Sequence, residues 1–114
     1  ASGLARSATT KDGWYQAGGE WYYIKNGAPA QGFMKVNGVG YYFYDGLMST
    51  NDLHYVNDGV YYFNKDGAME TRKGWYELYD DIWTYVCEDG TVYNYGIYFI
   101  DGVQYSFSNG IWVF

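Results

Sequence analysis

Gly13-Trp14-Tyr15-Gln16-Ala17-Gly18-Gly19-Glu20-Trp21-Tyr22-Tyr23-Ile24-Lys25-Asn26-Gly27 holds two aromatic-bearing runs, a Gly-Gly between them and an Asn-Gly behind. Gly-Gly and Asn-Gly supply the positive φ angles that two-residue hairpin turns require, because the twist of those turns matches the flanking strands. The stretch therefore predicts strand, turn, strand, turn.

The same unit recurs along the chain. Segments 13–31, 32–50, 51–73, 74–95 and 96–114 align on an aromatic triplet: Trp21-Tyr22-Tyr23, Tyr41-Tyr42-Phe43, Tyr61-Tyr62-Phe63, Trp83-Thr84-Tyr85 and Tyr105-Ser106-Phe107. Phe33, Leu53, Trp75 and Ile97 stand eight residues before their triplets, and Trp14 stands seven before its own, which predicts a turn one residue shorter. Inner turns are expected at Gly18-Gly19, Asn37-Gly38, Asp58-Gly59 and Asp101-Gly102, with Asp80-Asp81 holding that place without glycine in the fourth unit. Outer turns follow at Asn26-Gly27, Asp45-Gly46, Asp66-Gly67, Asp89-Gly90 and Asn109-Gly110. No window has the 3.6-residue periodicity of an amphipathic helix.

A lone two-stranded hairpin is marginal in water. The units must therefore stack, which makes the expected fold all-β: tandem β-hairpin repeats stacked as a β-solenoid. Composition agrees, with 16 Tyr, 5 Trp and 6 Phe against 16 Gly and 1 Pro. Tyr and Trp bury a flat body while keeping a polar edge wet, which suits thin layers. The third triplet position is aromatic in every unit (Tyr23, Phe43, Phe63, Tyr85 and Phe107) and reads as core. Residues 1–12 read as a linker or tail, 13–73 as three well-matched repeats, and 74–114 as two divergent repeats forming a C-terminal cap. The start carries no secretory signal, which reads as a mature fragment or an excised domain.

A net charge of −6 excludes the basic face that nucleic acid needs, and no apolar run is long enough to insert in a membrane. One cysteine, Cys87, leaves no internal disulfide, and with one histidine, His54, it makes no zinc set, so no cofactor or metal is expected. Most aspartates are explained by Asp-Gly turns, and the adjacent Asp80 and Asp81 would point to opposite faces of a strand. The chain reads as a binding module and not an enzyme.

Gly13-Trp14, then Gly19-Glu20-Trp21-Tyr22-Tyr23-Ile24, Gly27 and the next opening at Gly32 resemble the cell-wall-binding repeat of choline-binding proteins and of the glucan-binding domains of glucosyltransferases, to which the repeats of large clostridial toxins are related. The resemblance runs from Gly13 onward, strongly to Glu70 and weakly beyond. It implies a secreted module at the bacterial cell surface that holds choline-substituted teichoic acid or, alternatively, an α-glucan. In the choline-binding branch two aromatics of one unit and the middle triplet residue of the next form a cage, since a quaternary ammonium is held by the negative faces of aromatic rings. Carried over, the first ligand-binding cage is Trp14, Trp21 and Tyr42, and the second is Phe33, Tyr41 and Tyr62. The third lacks walls at Leu53 and Thr84, and the fourth keeps Trp75 and Trp83 but meets Ser106 where a Tyr is wanted. On the glucan reading Gln16, Lys25, Gln31 and Lys35 would hydrogen-bond sugars stacked on the same rings. A third reading is a structural or protein-interaction array. There the drifted Trp75-Tyr76, Trp83, Tyr95, Tyr98 and Trp112-Val113-Phe114 serve as a cap, a homodimer surface or a docking site for a partner domain.

Overall fold

The computed structural model describes residues 11–114, so of the tail read into residues 1–12 all but Lys11 and Asp12 lies outside the described residues. Among the described residues the chain is all-β, without a helix. It divides into two compact units, Ala1–Thr50 and Asn51–Phe114.

The first unit runs β1 (Gly13–Ala17), β2 (Glu20–Lys25), β3 (Ala28–Pro29), β4 (Gly32–Val36), β5 (Val39–Tyr44) and β6 (Leu47–Met48). β1 pairs with β2 and β4 with β5 as antiparallel hairpins, and β6 lies between β2 and β5, joining both hairpins in one six-stranded sheet. Side chains tie each outer turn to the residue that precedes its hairpin. Asp12, grouped with the tail on sequence, accepts from the amides of Asn26 and Gly27, and Gln31 Oε1 accepts from the amide of Asp45 at 2.8 Å. Those backbone bonds hold the Asp12 carboxyl below the usual carboxylate range. Tyr22, Ile24, Ala30 and Phe43 are buried.

The second unit runs β7 (Asp52–Val56), β8 (Gly59–Phe63), β9 (Gly74–Tyr79), β10 (Ile82–Val86), β11 (Gly96–Ile100), β12 (Val103–Ser108) and β13 (Ile111–Val113). β7–β8 and β9–β10 are two-stranded, and β13 adds to the β11–β12 hairpin. One core cluster is Val60, Tyr62, Leu78, Val86 and Val92; the other is Tyr85, Ile100 and Phe107 with Trp75, Trp112 and neighbouring rings packed on it. The third triplet position is buried at Phe43, Phe63, Tyr85 and Phe107 and half-buried at Tyr23, as its invariance within the array implies.

One inner turn departs from its expected position, and another keeps its position with a bulge beside it. The third hairpin turns at Asn57-Asp58 and not at Asp58-Gly59, because Asn57 takes the left-handed conformation at φ 57° and Gly59 becomes the first residue of β8, opposite Val56. Gly59 serves a close approach instead: a Cβ there would lie 2.9 Å from the Thr91 methyl. The fourth hairpin turns at Asp80-Asp81 as expected, but only Asp81 is left-handed, and the register shifts between Ile82 and Trp83. A turn lacking the paired left-handed residues of a Gly-containing turn is accommodated by a β-bulge, which leaves Leu78 unpaired.

Gly110 sets a test of the second unit. Its φ is +80°, and a Cβ there would fall 2.5 Å from Leu53 Cδ1. Gly110→Ala is expected to cost the left-handed penalty of about 1–2 kcal/mol plus displacement of Leu53. Gly38→Ala, at φ +82° with open space around its Cβ, carries the backbone penalty alone. Urea midpoints of both variants check the ordering, with Gly110→Ala the less stable.

His54 is buried against Phe63, ring centroids 5.4 Å apart, with Asp52 Oδ2 3.8 Å from its Nε2. Burial pushes its pKa below the usual imidazole value, and the Asp52 charge offsets that only in part. Full stability is therefore present above about pH 6.5, where the unfolded imidazole is also neutral. Below it the unfolded chain takes up the proton first, and stability falls until the folded-state pKa is passed. The thermal midpoint is expected to drop between pH 7.5 and 5.5, and His54→Gln is expected to flatten that slope, His54 being the sole histidine.

Candidate aromatic binding sites

Side chains alternate between faces along a strand, and directly opposed residues share a face. Hairpin register therefore decides which rings can meet. In the first hairpin Trp14 opposes Tyr23 and Gln16 opposes Trp21, so Trp14, Trp21 and Tyr23 lie on one face. In the second hairpin Phe33 opposes Tyr42, which places both on the face away from Tyr41 and Phe43. Leu53 likewise opposes Tyr62, and Ile97 opposes Ser106. Trp75 opposes Tyr85, like Trp14, because the bulge at Leu78 absorbs one residue.

One residue of spacing thus moves the opening side chain to the other face. Trp14 reaches its face because Glu20 alone separates its turn from the triplet, where β5 has Val39 and Gly40; the turn itself has two residues in both hairpins and is not the shorter one that spacing suggested. Trp75 reaches it because its strand is bulged. These two hairpins alone open with Trp.

The ring contacts follow the faces. Trp14 meets Trp21 edge-on at 6.2 Å, Tyr23 and Tyr41 at 5.0 Å each, and Phe43 at 5.8 Å. Trp75 repeats the set with Tyr85 at 5.2 Å, Tyr105 at 4.9 Å and Phe107 at 5.8 Å. In both, the opening Trp packs on the third triplet residue of its own hairpin and on the first and third of the next.

Of the residues expected in the first cage, Trp14 and Trp21 are together, and Trp21 is 42% exposed. Tyr42 stands on the opposite face of β5 from the rings that pack on Trp14, and its ring lies 5.5 Å from Tyr44. Of the second, Phe33 and Tyr41 fall on opposite faces of their hairpin. Tyr62 is buried and packs on Tyr76 at 5.4 Å, and burial raises the pKa of its phenol. Middle triplet residues sit in the core wherever they are buried, at Tyr22, Tyr62 and Thr84.

The reading from residue types gave Tyr105 a triplet place and Trp112 a place in the C-terminal cap or docking surface, and set neither beside Trp75 and Trp83. Together with Trp75 and Trp83 they line a cavity of about 310 Å³ in the second unit. The Asp80-Asp81 turn was the signal that could have found it, since a turn without Gly at an eight-residue spacing calls for a bulge and hence for the Trp14-like face. Among the described residues no group of three His, Cys, Asp or Glu side chains could hold a metal ion.

Comparison with known proteins gives relatives of two kinds. No protein-family model matches the chain. Glucosyltransferase-S of Streptococcus downei is 33% identical over 93 residues, 79% of this chain and 7% of that protein. CbpJ of Streptococcus pneumoniae superposes with a TM-score of 0.61 at 30% identity, over 90% of this chain and 35% of that one. Choline binding protein F of the same organism gives a TM-score of 0.58 at 31% identity, over 90% of this chain and 35% of that one. The chain thus spans about a third of its solved relatives and a small fraction of the glucosyltransferase.

Proposed function

We propose that this chain, whose hairpin repeats match the cell-wall-binding repeat family, is a non-catalytic module that holds a secreted bacterial protein on a cell-wall polymer. Its ligand is choline on teichoic acid, bound in an aromatic cage. The observation that carries the reading is the meeting of Trp14 and Trp21 at 6.2 Å with Tyr41 on the same Trp14 ring, beside a Trp21 left 42% exposed. Aromatic faces attract a quaternary ammonium, which has no N–H to donate, by about 0.5–2 kcal/mol per good contact. The register supports Tyr41, and not Tyr42, as the wall contributed by the next hairpin. Two solved relatives bear on the ligand: one is named a choline binding protein, and a phage Cp-1 endolysin of 26% identity, aligned over 83% of this chain and 31% of that one with a TM-score of 0.58, is described as complexed with choline.

Hairpin-on-hairpin packing inside each unit supports a β-solenoid for the array as a whole. The exposed Ile97, Phe99 and Val113 of the last hairpin suit a homodimer through the C-terminal hairpins.

The likeness to a glucosyltransferase favours a second reading, an α-glucan stacked on the same rings. Tryptophan fluorescence during titration with choline, tetramethylammonium and isomalto-oligosaccharides separates the two. Saturation by both ammonium ions and not by sugar is expected; saturation by sugar alone would move the module to the glucan reading.

A further inference from the structure

We propose that Asn37-Gly38, the inner turn of the second hairpin, is the site at which the folded chain deamidates through a succinimide ring. The other two Asn-Gly turns, Asn26-Gly27 and Asn109-Gly110, are protected by the bonds their glycine amides make. Asn26, Asn37 and Asn109 share one backbone conformation, each at φ 52°. Neither the dipeptide nor its torsion angle therefore separates them.

The amide that must attack does separate them. The Gly27 N–H donates to Asp12 Oδ1 at 2.9 Å, and the Gly110 N–H donates to the Asn94 carbonyl at 2.9 Å. The glycine amides of the Asp-Gly outer turns in the second, third and fourth units are bonded to carbonyls in the same way. Among the described residues the Gly38 N–H makes no such bond. Asn37 and Gly38 are both exposed, and a Cβ on Gly38 would meet nothing within 4 Å, so the turn has room for the ring. Gly110 is buried against Leu53, and the Asp12 carboxylate opposes loss of the Gly27 amide proton by its charge. Asp101-Gly102 shares the unbonded amide, but a carboxylate is a poor electrophile at neutral pH, so ring closure there is slower.

Hydroxide removes the Gly38 amide proton, and the nitrogen attacks Asn37 Cγ. The new N–Cγ bond forms, the Cγ–Nδ2 bond breaks, and Nδ2 takes a proton from water and leaves as ammonia. Water then opens the ring at either carbonyl. Opening at Cγ leaves aspartate in the ordinary backbone; opening at the Cα carbonyl leaves isoaspartate, with the chain running through Cγ. Either product adds one negative charge to the net −6 of the chain. The two differ in what they do to the hairpin. Asp45 and Asp101 already take the same left-handed place before a glycine, at φ 47° and 50°, so aspartate fits the turn. Isoaspartate puts an extra backbone carbon into a turn of two residues, and hairpin register follows turn length. The closing pair Val36–Val39 then no longer fits, nor does the pairing behind it that sets Tyr41 and Phe43 on one face.

The test incubates the whole chain at mildly alkaline pH and follows the three Asn-Gly peptides by proteolysis and mass spectrometry. A carboxyl methyltransferase specific for isoaspartate marks that product. Asn37 is expected to convert about tenfold faster than Asn26 or Asn109, the factor imposed by first breaking one hydrogen bond. In concentrated urea the three rates are expected to converge. Asp12→Ala is expected to raise the rate at Asn26 alone. Aged protein carrying isoaspartate is expected to unfold at lower urea than the unaltered chain, and Asn37→Asp at the same urea. Equal rates at all three sites in the folded chain, or a lead by Asn26 or Asn109, would overturn the proposal. So would a lead by Asn37 that persists in urea, since it would come from neighbouring residues and not from the fold. An unchanged rate at Asn26 in folded Asp12→Ala would overturn the protecting role of the amide bond.

Discussion

Phe43→Ala is expected to remove about 3–5 kcal/mol of stability, the usual cost of truncating a fully buried Phe to Ala. Phe43 is 1% exposed. It stacks on Tyr23 at 5.8 Å with an interplanar angle of 27°, lies 5.8 Å from Trp14 and 6.2 Å from Tyr41, and pairs across the sheet with Gly32 and Met48. Gly32 has no side chain and Trp14 is already packed on Tyr23 and Tyr41, so of these neighbours only the flexible Met48 can lean into the space. Net stabilities of small domains are about 5–15 kcal/mol, so the loss is a large fraction of the total. Urea unfolding followed by circular dichroism reads it. Tyr44→Ala is the control: Tyr44 is the next residue, on the opposite face and 54% exposed, and its loss is expected to cost about 1 kcal/mol or less. Equal midpoints for Phe43→Ala and the unaltered protein would contradict the third triplet position as core.

That position was legible from residue types because it is aromatic in all five units, and a position filled by rings regardless of its surroundings is one that packing demands. The outer turns were legible for a similar reason: Asn26-Gly27, Asp45-Gly46 and Asn109-Gly110 each place both residues at positive φ, which few other pairs accept. The faces were not legible. The spacing between opening residue and triplet was visible, seven for Trp14 and eight elsewhere, but a spacing alone does not say whether a turn or a bulge takes up the difference. In the second hairpin nothing takes it up, and Phe33 turns away from Tyr41; in the fourth the Leu78 bulge does, and Trp75 joins Trp83 at one cavity. The return strands β3, β6 and β13 were hidden too, being two or three residues long and held by pairing with strands that precede them. Register and motif position agree at Trp14 and Trp21, whose rings lie together on one face. Motif position gave Trp112 no place beside Trp75, because that contact depends on pairing across β12 and β13.

Trp21→Ala is expected to weaken choline about tenfold while leaving the thermal midpoint nearly unchanged, since one cage wall contributes about 0.5–2 kcal/mol to a bound quaternary ammonium. The separation of binding from stability follows from where the ring sits. Trp21 is 42% exposed and meets Trp14 at 6.2 Å, so its removal opens no enclosed cavity. Trp14 differs, because it is half-buried and touches Tyr23, Tyr41 and Phe43 as well. Trp14→Ala should lose ligand and stability together, at about 3–5 kcal/mol for the packing it removes. Titration with choline and a thermal melt on the two variants therefore read different things from adjacent rings. If Trp21→Ala binds choline as well as the unaltered protein, the Trp14–Trp21 pair is core with an exposed edge and the ligand site lies elsewhere. If it melts as low as Trp14→Ala, the ring carries packing that its exposure does not reveal, and the loss of binding says nothing about a cage. Loss of choline at an unchanged midpoint is the one combination that a ligand wall produces and a core residue does not.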